Sequence, residues 1–401
     1  MMGIVDRVWI LSLVIVTMSG CSSNQRMFFQ PGNDITGSHA LMGHLGIVRN
    51  VVCGHLRLRG GKRKKRVEKA KEQDKIIKSI AKPKKKKTHY KAGTKDYVPL
   101  DIPYLYVIGG RSTQFELSIV QRYDVTTKDW TPSCKLESPR AYSAAARHGN
   151  KIYLIGGISN NQPLNSVRSF SPYSDDETWK VEKMMPFARR NFASAVHDNQ
   201  IFIFGGTGMP KAMVNTESTE VCLKSVQSFL PDFQFWQNHT DMPIEKQFCA
   251  AVSFGDRIYV MGGYSNVEGD DLDTELDSMH SYDPVLRAWK AEPPMPTPRA
   301  NFQAVAIAGR IYAIGGMSGG LQKADVESFD PTTREWRIEP PLNQKRSAFA
   351  AECFNGYIYV AGGIVGSSEI SMVECFDPYS QRWTVDSSLP TRRWALSMVA
   401  I

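Results

Sequence analysis

The chemically versatile residues of this 401-residue chain fall into three groups. An acidic run of Glu268, Asp270, Asp271, Asp273, Glu275 and Asp277 supplies oxygen ligands of the kind Ca2+ takes. It lacks the glycine turn and terminal carboxylate of an EF-hand loop, so the spacing predicts a solvated acidic loop and no metal. The histidines His148, His197, His239 and His280 are spread over separate segments, without the ligand spacing a copper site requires. The third group is basic: residues 57–95 hold 18 Lys/Arg against Glu68, Glu72 and Asp74, a net of +15. Such density suits nuclear import, or nucleic-acid contact through phosphates. Without interleaved aromatics for base stacking, nucleic acid is expected only along Lys62 to Lys87, if at all. No nucleophile, base and orienting residue can be assembled, and no glycine-rich phosphate loop opens a helix, so neither an enzyme nor a cofactor is expected.

The overall charge of +9 therefore belongs to one segment, because residues 96–401 carry 28 Lys/Arg and 35 acids, a net of −7. Like charges at the density of 62–66 and 82–87 resist compaction, so 23–102 is expected to be a basic, disordered stretch. Residues 1–22 contain an apolar run, 8–18, followed by Ser19-Gly20-Cys21. The run is short for a membrane span and has the form of a signal-peptide core, which would make the protein secreted or membrane-anchored. The cysteines argue the other way. Cys249, Cys353 and Cys375 sit in apolar strand patterns such as FCAAVSF and AECF, which predicts buried free thiols and a reducing, cytoplasmic setting.

The elements of 103–401 follow from repetition. An apolar strand ending in a glycine pair occurs six times: Gly109-Gly110, Gly156-Gly157, Gly205-Gly206, Gly262-Gly263, Gly315-Gly316 and Gly362-Gly363. Each is followed by a second strand ending in an aromatic turn (QRYDV, RSFSP, QSFLP, HSYDP, ESFDP, ECFDP) and then by one tryptophan: Trp130, Trp179, Trp236, Trp289, Trp336 or Trp383. Sixteen residues before the first glycine of each later pair stands a basic residue: Arg140, Arg189, Lys246, Arg299 or Arg346. The first unit lacks that preceding strand, and the chain's last residues, from Arg393 to Ile401, match it.

This pattern resembles the kelch repeat over about 103–401. The resemblance implies an all-β, six-bladed propeller, here closed by residues 394–401 pairing beside 105–108. Kelch rings include some enzymes, but the residues here favour binding of a protein or peptide. The loops after the glycine pairs and the loops bearing the basic residues are expected to meet on one face. There Arg111, Tyr142, Arg190, Asn191, Tyr264, Asn301, Ser347 and Trp394 are the candidate partner contacts, being mostly of the types that anchor interfaces. The turns and the MP-x-x-R spacing are most similar to the propellers of the BTB-kelch family. The propeller is expected to be monomeric, and the similarity implies that it holds a substrate for a cullin-RING ubiquitin ligase, or alternatively actin. A sugar-acting secreted propeller is a third possibility. The BTB and BACK domains have no counterpart in the first 100 residues.

Overall fold

The computed structural model describes residues 104–401 apart from 175, 177, 209–219 and 266–273. The expectations for 1–22, for 23–102 and for Glu268, Asp270, Asp271 and Asp273 lie outside the described residues. Among the described residues the only helical element is a 3-10 turn, Pro231–Phe233. Six four-stranded antiparallel sheets make up the rest, with short two- or three-stranded ribbons at one end.

Each sheet is one blade. Blade 2 shows the plan: inner strand Ala144–His148, then Lys151–Ile155, Val167–Phe170 and outer strand Lys180–Val181. The inner strands of blades 3 to 6 are Ala193–His197, Ala250–Phe254, Gln303–Ile307 and Ala350–Phe354. Blade 1 runs Tyr104–Ile108, Val120–Asp124 and Asp129–Pro132, and its inner strand is Ser397–Ala400 from the other end of the chain. The closing register is Leu105↔Ala400, Tyr106↔Val399, Val107↔Met398 and Ile108↔Ser397, as the repeat count required. Closure pairs the edge of Tyr104–Ile108 that the first unit by itself would leave open.

The second strand of every blade is almost wholly buried because it faces a neighbouring blade on both sides, for example Ile152, Leu154 and Ile155 at 0% exposure. The aromatic turn residue and the tryptophan pair across the two outer strands and stack. Ring centroids are 4.7 Å apart for Tyr123–Trp130, 5.0 Å for Phe229–Trp236 and 4.9 Å for Phe376–Trp383. The indole does more than fill space. Trp179, Trp236, Trp289, Trp336 and Trp383 each donate Nε1–H to a carbonyl of the preceding blade, at 2.9–3.3 Å. At the closing seam Trp130 donates instead to the Ser387 hydroxyl, at 3.2 Å, and the Tyr123 hydroxyl donates to Asp386. A phenylalanine could stack but could not make this latch.

Glycine is required where the second strand leaves its sheet. Gly109 has φ +59°, and a Cβ there would lie 2.2 Å from the Arg140 carbonyl oxygen. No L side chain fits that approach.

Candidate functional site

One face of the ring is assembled on the six basic residues. The Arg140 carbonyl accepts from Gly110 N of blade 1, while its Nη1 donates to the Gly156 carbonyl of blade 2 at 3.3 Å. The same strut recurs from Arg189 to Gly205, Lys246 to Gly262, Arg299 to Gly315, Arg346 to Gly362 and Arg393 to Gly109, at 2.9–3.2 Å. These six side chains are 0–3% exposed, so they support the face from beneath and cannot touch a partner.

Two residues beyond each strut the chain enters the left-handed region. The residues are Tyr142, Asn191, Phe248, Asn301, Ala348 and Ala395, with φ between 50° and 59°. Non-glycine residues there are strained and must be held by their surroundings. What holds them is a circle of backbone hydrogen bonds around the channel mouth: Tyr142 N to Ala395 O, Ala395 N to Ala348 O, Ala348 N to Asn301 O, Asn301 N to Phe248 O and Phe248 N to Asn191 O, at 2.7–3.1 Å. The sixth link, from Asn191 N to Tyr142 O, is not made among the described residues. In blade 3 the segment Arg189–Arg190 pairs with Thr207–Gly208, which pairs with Val221–Cys222. The other blades have a single bridge at this place, such as Ala141↔Ile158 or Ser347↔Ile364. The wider ribbon, with Asn191 Nδ2 donating to Thr207 Oγ1, ties Asn191 to its own blade and opens the circle.

The side chains at the mouth are unevenly distributed. Trp394, Tyr142, Phe248 and Tyr264 form a file of edge-to-face rings with successive centroids 5.7, 6.0 and 6.1 Å apart. The Arg111 guanidinium lies 5.9 Å from the Trp394 ring centroid and also approaches Glu116 and Asn161, at 3.8 and 3.4 Å. Arg190 donates through Nε and Nη2 to one oxygen of Glu220, at 3.0 and 2.7 Å. On the far side the mouth residues are Asn301 and Ala348. Burial raises the Tyr142 phenol above its ordinary pKa, so near neutral pH it is an uncharged donor. Trp394 Nε1 and Asn191 Oδ1 are buried polar atoms with no hydrogen-bond partner among the described residues. Polar groups left so are costly unless a partner completes them.

Seven of the eight residues expected on this face are half-buried around it: Arg111, Tyr142, Arg190, Asn191, Tyr264, Asn301 and Trp394. Ser347 differs. It is 1% exposed because its backbone bridges to Ile364 beneath the rim, so it has no surface to offer. Phe248 and Glu220 were not anticipated. Phe248 stands two residues after Lys246, the place Tyr142 occupies after Arg140, so the repeat register contains that signal. Glu220 falls where the spacing from the glycine pair to the tryptophan is longest, so no repeat count reaches it. Among the described residues no three His, Cys, Asp or Glu gather as a metal site.

Several known proteins are similar to this chain. Beta-scruin of Limulus polyphemus is 26% identical over 248 residues, 58% of this chain and 26% of that protein. Kelch-like protein 25 of Xenopus tropicalis is 27% identical over 47% of this chain and 30% of its own length. Kelch-like protein 23 of Homo sapiens is 27% identical over 54% and 36%. The chain thus spans about a quarter to a third of the length of these relatives. The solved structure of YjhT superimposes with a TM-score of 0.58 at 18% identity, over 71% of this chain and 98% of that one, a likeness of fold. A sequence model of the KLHDC2/KLHL20/DRC7 Kelch-repeats domain matches residues 81–263, 176–363 and 234–401, and the chain belongs to that kelch-repeat family.

Proposed function

We propose that this propeller binds a protein partner on the strut-supported face and serves as a substrate-recognition module for a cullin-RING type ubiquitin ligase. The observation that supports the binding reading most is the aromatic file from Trp394 to Tyr264 beside two unsatisfied buried polar atoms. Tyr and Trp rings held by packing lose little entropy on binding and dominate interface energies. Arg111 and Arg190 flank the file with charged groups already held by Glu116 and Glu220, ready to exchange partners. The ligase role rests on the similarity to BTB-kelch propellers in turns and spacing, and on the kelch-like relatives.

The test is quantitative affinity purification with the wild-type chain, Trp394→Ala and Arg190→Ala. The expected result is a partner whose recovery falls at least tenfold in both variants and whose turnover depends on a cullin ligase. Actin filaments retained by the wild type and lost by Trp394→Ala would replace the ligase role with a cytoskeletal one. Equal recovery of every partner by all three proteins would remove the face itself from consideration.

A further inference from the structure

The inner strands enclose a channel of about 720 Å3 along the ring axis. Its wall is made chiefly of small residues, among them Ala145, Ala195, Ala251, Ala304 and Ala351. Counted six places from each strut, the wall residues are Ala146, Ala195, Val252, Val305, Glu352 and Val399. Five blades place an apolar side chain there, and blade 6 places a carboxylate.

Nothing in the fold explains that carboxylate. Its one hydrogen bond is from the Cys353 backbone N–H, at 3.2 Å, and no Lys, Arg or His forms an ion pair with it among the described residues. Its cross-strand neighbour is Tyr359. The other titratable groups on the channel wall are Arg147, His148, Cys249 and Cys353. Burial holds the Glu352 carboxyl at about 7, far above an ordinary glutamate, so the charge is costly where it stands. An uncompensated, half-buried charge in the channel wall is a liability to folding and an asset to a ligand that neutralises it.

We propose that the channel is a second binding site, for an alkylammonium group carried on an extended chain, with Glu352 as its counter-ion. Glu352 is four residues beyond Ala348 of the mouth, about 13 Å at the rise of a strand. A side chain on a flat partner surface does not reach that far, whereas a polyamine or a lysine on a threaded peptide tail does. The net charge of −7 over residues 96–401 favours the same sign of ligand. This site is separate from the face residues and does not depend on what they hold.

Calorimetry with spermidine, and with a capped glycine peptide carrying one lysine, tests it. Spermidine binding with no peptide binding identifies a free polyamine; binding of the peptide identifies a tail; either supports the site. Affinity should be at least tenfold weaker at pH 5.5 than at pH 8, and this dependence should flatten in Glu352→Gln, whose affinity is low throughout. Glu352→Val, which copies blades 4, 5 and 1, should keep or raise the melting temperature and still retain any partner of the face. Binding of neither probe, or equal binding by Glu352→Gln, overturns the proposal. A large drop in melting temperature in Glu352→Val would overturn it too, by making the carboxylate structural.

Discussion

The two sides of the channel mouth share one backbone and almost nothing else. Blades 1, 2 and 4 contribute Trp394, Tyr142, Phe248 and Tyr264, whereas blades 5 and 6 contribute Asn301 and Ala348. The same division runs through the struts beneath. Arg299 and Arg346, reaching into blades 5 and 6, meet Glu327 and Glu374 at 3.0 and 2.5 Å with both partners 0–4% exposed. Arg393, Arg140, Arg189 and Lys246, reaching into blades 1 to 4, meet carbonyls and neutral groups: Gln121, Ser166, Gln227 and Ser278. A carbonyl fan is enough to hold a buried cation, so an acid at this place is an addition, not a requirement of the fold. The side with ion-paired struts is plain at its surface. The side with the aromatic file stands on uncompensated ones, and the backbone circle opens there as well.

Closure underlies both sides, so breaking it should have the largest effect. Removing residues 394–401 takes the inner strand from blade 1 and the Trp394 end of the aromatic file. The whole ring should lose its cooperative thermal transition; a truncated protein that melts like the parent would contradict the closing register. Next, Glu374→Ala leaves Arg346 buried without its counter-ion, held only by backbone carbonyls such as those of Gly362 and Met372, and strips Asn343 of its acceptor, at a cost of about 3–5 kcal/mol in urea unfolding. Ser278→Ala, which removes one neutral partner of Lys246, should cost only about 1 kcal/mol. Equal costs would erase the distinction between the two sides.

Lys246 sharpens the comparison through pH. Burial lowers its ammonium from 10.5 to about 8. Between those values the unfolded chain binds more protons than the folded one, so native stability gains as pH rises from about 8 toward 10.5. Relative to Lys246→Arg, whose guanidinium stays charged, the wild type should gain up to about 3 kcal/mol over that window. A flat difference would mean that this strut is solvated.

The ring was legible because its determinants are periodic. Six glycine pairs, six tryptophans and one displaced strand are enough to place every blade and its closure. The mouth was legible in part. The register points to Tyr142, Asn191 and Asn301, and would have given Phe248 by the same count. Spacing offers Ser347 as a partner contact, but spacing along a chain does not say which way a rim residue turns, and the bridge to Ile364 turns it inward. Glu352 carries no motif; its meaning emerges only when the inner strands are laid round one axis and the equivalent position of the other five blades is apolar.

The decisive measurement is the affinity of a partner captured by the wild-type chain for Tyr142→Ala and for Ala348→Ser, the same left-handed position in blade 2, which carries the aromatic file, and in blade 6, which does not. If the aromatic side does the binding, Tyr142→Ala should weaken it at least tenfold and Ala348→Ser should change it less than twofold, with melting temperatures of both variants close to the parent. Equal losses, or a larger loss for Ala348→Ser, would contradict it.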